Sequence, residues 1–266
     1  MASLNVLSIG ASRNIGYFAA IRLLEQGSTV TFLLRSPSTF DGDATIQKYV
    51  KSGHARLVKG DASVEADVKR AWDAAGIVDA LVFTVGALPS LKNFSLTKGF
   101  VQTPPDLCTQ CILNVLCTMP TYENAPQPKF VLLSSTGLGP AAHKALPTLF
   151  KPVYGYTLAL PHEDKKGMEH VISHCAGWTW DDKIDGKVAP EIIGDRWTER
   201  RGAGLLTDGE CVADKFEAGQ AKKSYRVSEK ELGGYTISRK DAAHLVVDAL
   251  TRRWDELDNK RVNATY

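Results

Sequence analysis

The sequence lacks an excess of either charge: 32 Lys and Arg face 30 Asp and Glu, a formal net charge of +2. A balance so near zero offers no electrostatic footing for a nucleic acid or an anionic membrane surface. No run of about 18 uninterrupted apolar residues occurs, so no membrane span is expected. The first ten residues, MASLNVLSIG, have neither the basic start nor the long apolar stretch of a secretory leader. Five cysteines, an odd number scattered through 266 residues, do not read as a disulfide framework. No HExxH is present, and no second ligand pair stands at zinc-finger spacing from Cys108 and Cys111. These absences predict a protein of a reducing compartment, the cytoplasm, with no metal, no nucleic-acid partner and no membrane partner.

What remains is ordinary globular composition, 44% apolar and 23% charged. A chain of this length hides roughly three quarters of its unfolded surface, enough for a core without metal or disulfide. Cys108 and Cys111 form a CxxC within DLCTQCILNVLCTM, whose apolar spacing predicts a helix. Buried helix cysteines are therefore preferred over a redox pair.

Along the chain, short apolar runs alternate with amphipathic stretches. Strands are predicted at 4–9, 29–34, 56–58, 80–84 and 130–133, and helices at 17–26, 64–75, 109–118, 163–173 and 240–252. Strand runs too apolar for a half-exposed sheet argue for parallel strands covered on both faces. Right-handed crossovers then give an α/β fold with a doubly wound, Rossmann-type parallel sheet. After Ser135 the rhythm loosens: prolines 147, 152 and 161 punctuate a long connection, and 178–201 is polar, tryptophan-rich and irregular. No repeat or linker appears. We expect one domain over 1–266, with a cofactor half at 1–140 and a substrate-side half at 141–266 that builds a small C-terminal substrate-covering lobe.

The segment GASRNIG lies between an apolar strand and an amphipathic helix, the context that turns a glycine pattern into evidence. Gly10 allows the tight turn. Gly16 lets the helix approach the sheet, so that free N–H groups and the positive helix end meet a pyrophosphate. Ser12, Arg13, Asn14 and Ile15 complete the phosphate side of the loop. The segment resembles the short-chain dehydrogenase/reductase signature GASRGIG, with Asn14 in place of the middle glycine. Asn is the residue after Gly most at ease with positive φ.

The second strand discriminates between cofactors. An NAD-binding fold places an acid there for the ribose 2′-hydroxyl, whereas FLLRS offers Arg35 and Ser36. An arginine grips a 2′-phosphate bidentately, and Arg13 can close on it from the loop. The expected cofactor is NADP(H). In VKGDAS, the resemblance puts Asp61 at the adenine amino group and Ala62 at its face. In FTVGA it puts Thr84, Val85 and Gly86 beside the ribose. Asn114 resembles the family's helix asparagine, although one Asn in a helix is more often incidental.

KFVLLSSTG resembles the family's fifth strand, whose terminal serine polarises a substrate carbonyl. Ser134 and Ser135 fill that place, with strand-end capping as the bland alternative. No YxxxK follows. Lys165, four residues before Glu169, matches the family's helix lysine, which contacts the nicotinamide ribose. The tyrosine position then falls on Pro161, which has no proton to give. His162 is the nearest acid that titrates near neutrality; Tyr154 or Tyr156 can also swing in from the loop. His170 and His174 read as surface residues.

The whole resembles the atypical, NmrA-like branch of the superfamily, close to a group of fungal NAD(P)-binding proteins. The shared segments include LLTDGEC, YRVSEKELGGYTISRKDAAH and a terminal strand. Such proteins carry an apolar sixth strand before the LLTDG turn. Here GWTW starts like one and runs into polar sequence, so the strand is a stub or incomplete, with 192–198 as a weak substitute. Two functions follow. The first is an NADPH-dependent oxidoreductase, a reductase transferring hydride to a carbonyl, enone or imine of a small hydrophobic metabolite, with Phe150, Trp178, Trp180 and Trp197 lining the pocket. The second is a non-catalytic, NmrA-like NADP-binding redox sensor or regulator. The expected partner is the small-molecule substrate; a homodimer stays open.

Overall fold

Apolar residues that alternate in the sequence divide between the two faces of one sheet. In the computed structural model, which describes residues 3–86, 93–135, 156–178, 197–201, 205–230, 232 and 236–266, strand β1 (Asn5–Ile9) sends Leu7 and Ile9 to one face and Val6 to the other. Strands β2 (Thr29–Leu34), β3 (Ala55–Lys59) and β4 (Ala80–Phe83) follow, each after a helix: α1 (Asn14–Glu25), α2 (Ala44–Lys51) and α3 (Glu65–Ala75). Strand β4 alternates like β1, with Leu81 and Phe83 opposite Ala80 and Val82. A two-stranded hairpin, β5 (Phe94–Ser95) and β6 (Gly99–Phe100), precedes helix α4 (Leu107–Cys117), strand β7 (Lys129–Ser134) and helix α5 (Ala159–Cys175). Burying apolar side chains of this size contributes about 1.5–3 kcal/mol each, and both faces hold a full cluster.

The remaining elements are strand β8 (Trp197–Arg201), β9 (Leu205–Thr207), helix α6 (Val212–Glu217), β10 (Arg226–Ser228), β11 (Thr236–Ser238), helices α7 (Arg239–Thr251) and α8 (Trp254–Leu257), and strand β12 (Lys260–Thr265). Across the eight-stranded sheet the order is β3-β2-β1-β4-β7-β8-β12-β10. Neighbours are parallel except β10, which runs antiparallel to β12. Helices α1 and α7 share one face with Val30, Phe32 and Val131; α3, α4 and α5 share the other. This is the doubly wound, Rossmann-type α/β sheet, and strand order reverses between β1 and β4. Ligands of such sheets bind outside the carboxyl ends of the strands at that reversal.

Two expectations change. Helix α5 starts at Ala159 rather than at 163, because Pro161 falls in its first turn, where the backbone N–H is free of helical bonding anyway. The sixth strand is in place. Strand β8 pairs with β7 from Phe130↔Trp197 to Ser134↔Arg201, and with β12 on its other side. Its sequence WTERR has no apolar run, yet two parallel neighbours satisfy its backbone, so pairing rather than hydrophobicity makes it a strand. The segment 179–196 lies outside the described residues.

On the C-terminal side, β9 and β11 pair in parallel as a separate two-stranded sheet. Asp241 ties this region together. Its carboxylate accepts from the backbone N–H of Val212 (3.0 Å) and Ala213 (2.8 Å) at the start of α6, from Ser238 Oγ (2.8 Å) and from the Tyr266 hydroxyl (2.6 Å).

Candidate cofactor and active site

Two glycines are required where β1 meets α1. Gly10 has φ +91°, and a Cβ there would lie 2.6 Å from the Val85 nitrogen. A Cβ at Gly16 would run into Thr84 Oγ1 and sit 2.8 Å from Ala11 Cα. Asn14 takes φ +55°, the left-handed conformation that Asn tolerates better than most residues. Arg13, at the N-cap of α1, makes no side-chain capping bond, and the first turn holds no acid. The leading N–H groups and positive end of α1 are thus left facing outward, as an anion site demands.

They face a cavity of about 710 Å³, within the usual range for small-molecule sites. Its loop side is Gly10, Ser12, Arg13, Asn14, Ile15 and Gly16. At one end stand Arg35, Ser36, Asp61 and Ala62, and beneath lie Thr84, Val85 and Gly86. Arg35 and Ser36 are exposed at the end of β2. Arg35 and Asp61 are both close enough to Cys111, another lining residue, for their charges to act on its thiol. The Asp61 carboxylate is held in a turn, accepting from Ser63 N (2.9 Å) and Ser63 Oγ (2.7 Å). Asn114, read as incidental from sequence, is buried and donates to the Ala62 carbonyl at 3.0 Å. It braces the turn on which Asp61 and Ala62 sit.

The other end of the cavity gathers Ser134, Ser135, Pro161, His162 and Lys165. Lys165 is 8% exposed; its ammonium donates to the carbonyls of Val85 (2.6 Å) and Leu133 (2.8 Å). An ammonium has three donors, so these carbonyls account for two. Lys165 is placed by its neighbour Asp164, whose buried carboxylate caps α4 from outside that helix. It accepts from Cys108 N (2.8 Å), Thr109 N (3.0 Å) and Gln102 Nε2 (2.6 Å). Ser134 is buried, and its hydroxyl donates to Glu169 Oε1 at 2.6 Å, inside the protein. Ser135, half-buried next to it and also lining the cavity, makes no side-chain hydrogen bond to another described residue. His162 is half-buried, its backbone N–H bonded to the Leu158 carbonyl at 2.9 Å.

Two expectations fail here. Tyr156 is exposed and does not line the cavity; its hydroxyl is spent on the carbonyls of Leu96 and, at 3.3 Å, Ser95. Trp178 also stays out, its indole N–H donating to Asn259 Oδ1 at 2.8 Å and its ring stacked near the Arg261 guanidinium (5.1 Å). Both side chains find polar partners elsewhere, which outweighs a place in an open cleft. Tyr154, Trp180 and Phe150 lie outside the described residues, while Trp197 is in strand β8. Sequence reading also missed Glu169, Asp164 and Arg239. Glu169 served there only to mark a spacing, and nothing local shows that its carboxylate is buried against a strand-end serine.

Cys108 and Cys111 are buried and unpaired in α4. Burial, more than any neighbouring charge, pushes both thiols up to about 12. The thiolate is the reactive form, so each loses its proton only as pH approaches about 12. Iodoacetamide at pH 8 should leave both unlabelled in the native protein and label them after denaturation, as peptide mass mapping would show. Native labelling of either would show a thiol more accessible and more acidic than its burial implies. Asp214, Glu217 and His244 also come together, but each is already engaged. Arg22 Nη1 holds Asp214 at 3.0 Å, Arg252 holds Glu217 at 3.0 Å, and the Tyr225 hydroxyl meets His244 Nδ1 at 2.8 Å. That cluster is an ion-pair network between α6 and α7.

Fold and site together define a Rossmann-type sheet with a cavity of about 710 Å³ at its switch point. No family model matches the chain. It is similar to Reductase pytE of Aspergillus terreus, at 28% identity over 257 residues, covering 91% of this chain and 90% of that protein. Among solved structures it is similar to ChuY, an anaerobillin reductase from Escherichia coli O157:H7 (TM-score 0.59, 16% identity, 98% of this chain and 96% of that one). It is also similar to YwfH, an NADPH-dependent reductase involved in bacilysin biosynthesis (TM-score 0.59, 11%, 98% of each chain). A third is a short-chain dehydrogenase from Burkholderia cenocepacia J2315 in complex with NADP (TM-score 0.58, 16%, 98% and 95%). At such identities the structural likeness speaks for the fold. Among the described residues, no helix is long and apolar enough to cross a membrane.

Proposed function

We propose that this chain is an NADPH-dependent reductase of the short-chain dehydrogenase type, adding hydride to a carbonyl, enone or imine of a small hydrophobic metabolite. The observation that carries the reading is the Lys165 ammonium. It sits in one cavity between the glycine-rich loop and the strand-end serines, fixed by two backbone carbonyls. Bound NADPH would supply the hydride. Lys165 would hold the nicotinamide ribose, Ser135 would donate to the acceptor oxygen, and Ser134, whose proton is turned to Glu169, would hold the neighbouring backbone in register. His162 would deliver the proton. The similarity to named reductases supports the reaction class. The test is NADPH oxidation, followed at its absorbance maximum, against a panel of small carbonyl compounds.

Arg35 supports NADPH over NADH. Hydrogen bonds to charged groups contribute about 1.5–3 kcal/mol, or roughly ten- to a hundredfold in affinity. Titration should therefore show wild type preferring NADPH by that factor and Arg35→Ala losing the preference with little change toward NADH. Equal affinities in the wild type would remove the assignment.

A second reading has one observation in its favour. No tyrosine lines the cavity among the described residues. An NmrA-like NADP-binding sensor would bind both cofactor forms and turn over none of the panel.

A further inference from the structure

Arg239 falls in the segment YRVSEKELGGYTISRKDAAH, where no role was assigned to it, and it lines the cavity together with Leu206. It is the first residue of α7, directly after the capping serine Ser238, whose Oγ accepts from Asp241 N at 2.9 Å. Helix α7 packs along α1: Ala242, Ala243 and Val246 share an apolar cluster with Ala19, Ala20 and Leu23. The next residue, Lys240, places its ammonium 5.9 Å from the ring of Phe18 in the second turn of α1. Arg239 is therefore beside the leading turn of α1, where the uncapped N–H groups point, and away from the β2 end that holds Arg35.

The partner of Arg239 is Asp208, with Nη1 to Oδ1 at 2.5 Å, and the Asp208 side chain is 89% exposed. An exposed carboxylate holds a guanidinium only weakly. Asp241, the other nearby acid, is saturated by the four donors already described. Asp61, the one carboxylate among the described lining residues, is locked on Ser63 at the far end. A guanidinium matches phosphate oxygens bidentately.

We propose that Arg239 is an exchangeable arm for the cofactor's pyrophosphate: it rests on Asp208 and transfers to the diphosphate, so that Asp208 competes with the cofactor. The proposal rests on the dinucleotide reading of the cavity. It differs from the role of Arg35, because the pyrophosphate is common to NADPH and NADH.

Calorimetric titration of the full chain with NADPH, NADH, ADP-ribose and 2′-AMP tests it. Arg239→Gln should weaken NADPH, NADH and ADP-ribose by about tenfold each and leave 2′-AMP unchanged. Asp208→Asn should tighten the first three, since the resting partner is gone. Unchanged ADP-ribose binding in Arg239→Gln, or a loss confined to NADPH and 2′-AMP, overturns the proposal. If Arg239→Gln melts early, Asp208→Asn decides: tighter binding supports the exchange and unchanged binding overturns it. A wild type that binds none of the four ligands would instead defeat the dinucleotide reading, and the arm with it.

Discussion

Lys165→Ala is expected to lower turnover by about a hundredfold or more, while Lys166→Ala stays near wild type. On the proposed reading Lys165 holds the nicotinamide ribose, and a displacement of about 1 Å at the reacting centre can cost about a hundredfold in rate. Lys165 is buried on the cavity wall, its ammonium bridging Val85, two residues past β4, to Leu133 near the end of β7. Lys166 follows it on the helix but does not reach the cavity. Loss of the ammonium also strips both carbonyls of a donor, at about 1–3 kcal/mol for each group left buried. A lower melting temperature should therefore accompany Lys165→Ala. Activity and NADPH affinity measured below both melting temperatures separate the two effects. Equal turnover in the two variants would show that the lysine has been misassigned.

His162→Ala is expected to cost about 10²–10⁴ in rate, with Tyr156→Phe unaffected. Reduction leaves a negative oxygen or nitrogen that must gain a proton, and Pro161, where the resemblance to short-chain dehydrogenases expects a tyrosine, has none. His162 lines the cavity, whereas the Tyr156 hydroxyl is bonded to the Ser95 and Leu96 carbonyls at the hairpin. Tyr154→Phe is the companion variant. Activity that survives His162→Ala and dies with Tyr154→Phe would move the proton to the tyrosine. Survival of all three substitutions would leave solvent as the donor.

The glycine-loop end of the cavity was the more legible because its logic is local. A glycine at positive φ, a second glycine against the sheet, and an arginine directly after an apolar strand are each written in a few consecutive residues. The end with the serines and Lys165 was harder to read. Ser134 meets Glu169 across 35 residues and Cys108 meets Asp164 across 56, and no periodicity reports such pairs. Tyr156 was a fair proton donor by its neighbourhood in the chain, until the hairpin carbonyls claimed its hydroxyl. Strand β8 escaped because its sequence looks like a loop, while its place between β7 and β12 supplies the pairing.

By itself, the sequence determined the alternating β-α order, the doubly wound sheet, the glycine turn between β1 and α1 and the cationic end of β2. These follow from side-chain period and backbone preference, which act over a turn or a strand. Only the tertiary structure decided that Lys165 reaches the carbonyls of two strands, that Ser134 turns inward and Ser135 is left to the cavity, and that Arg239 stands beside α1. Those outcomes depend on which buried polar group finds a partner. Burial leaves a polar group little choice but to be satisfied by whatever the fold brings near.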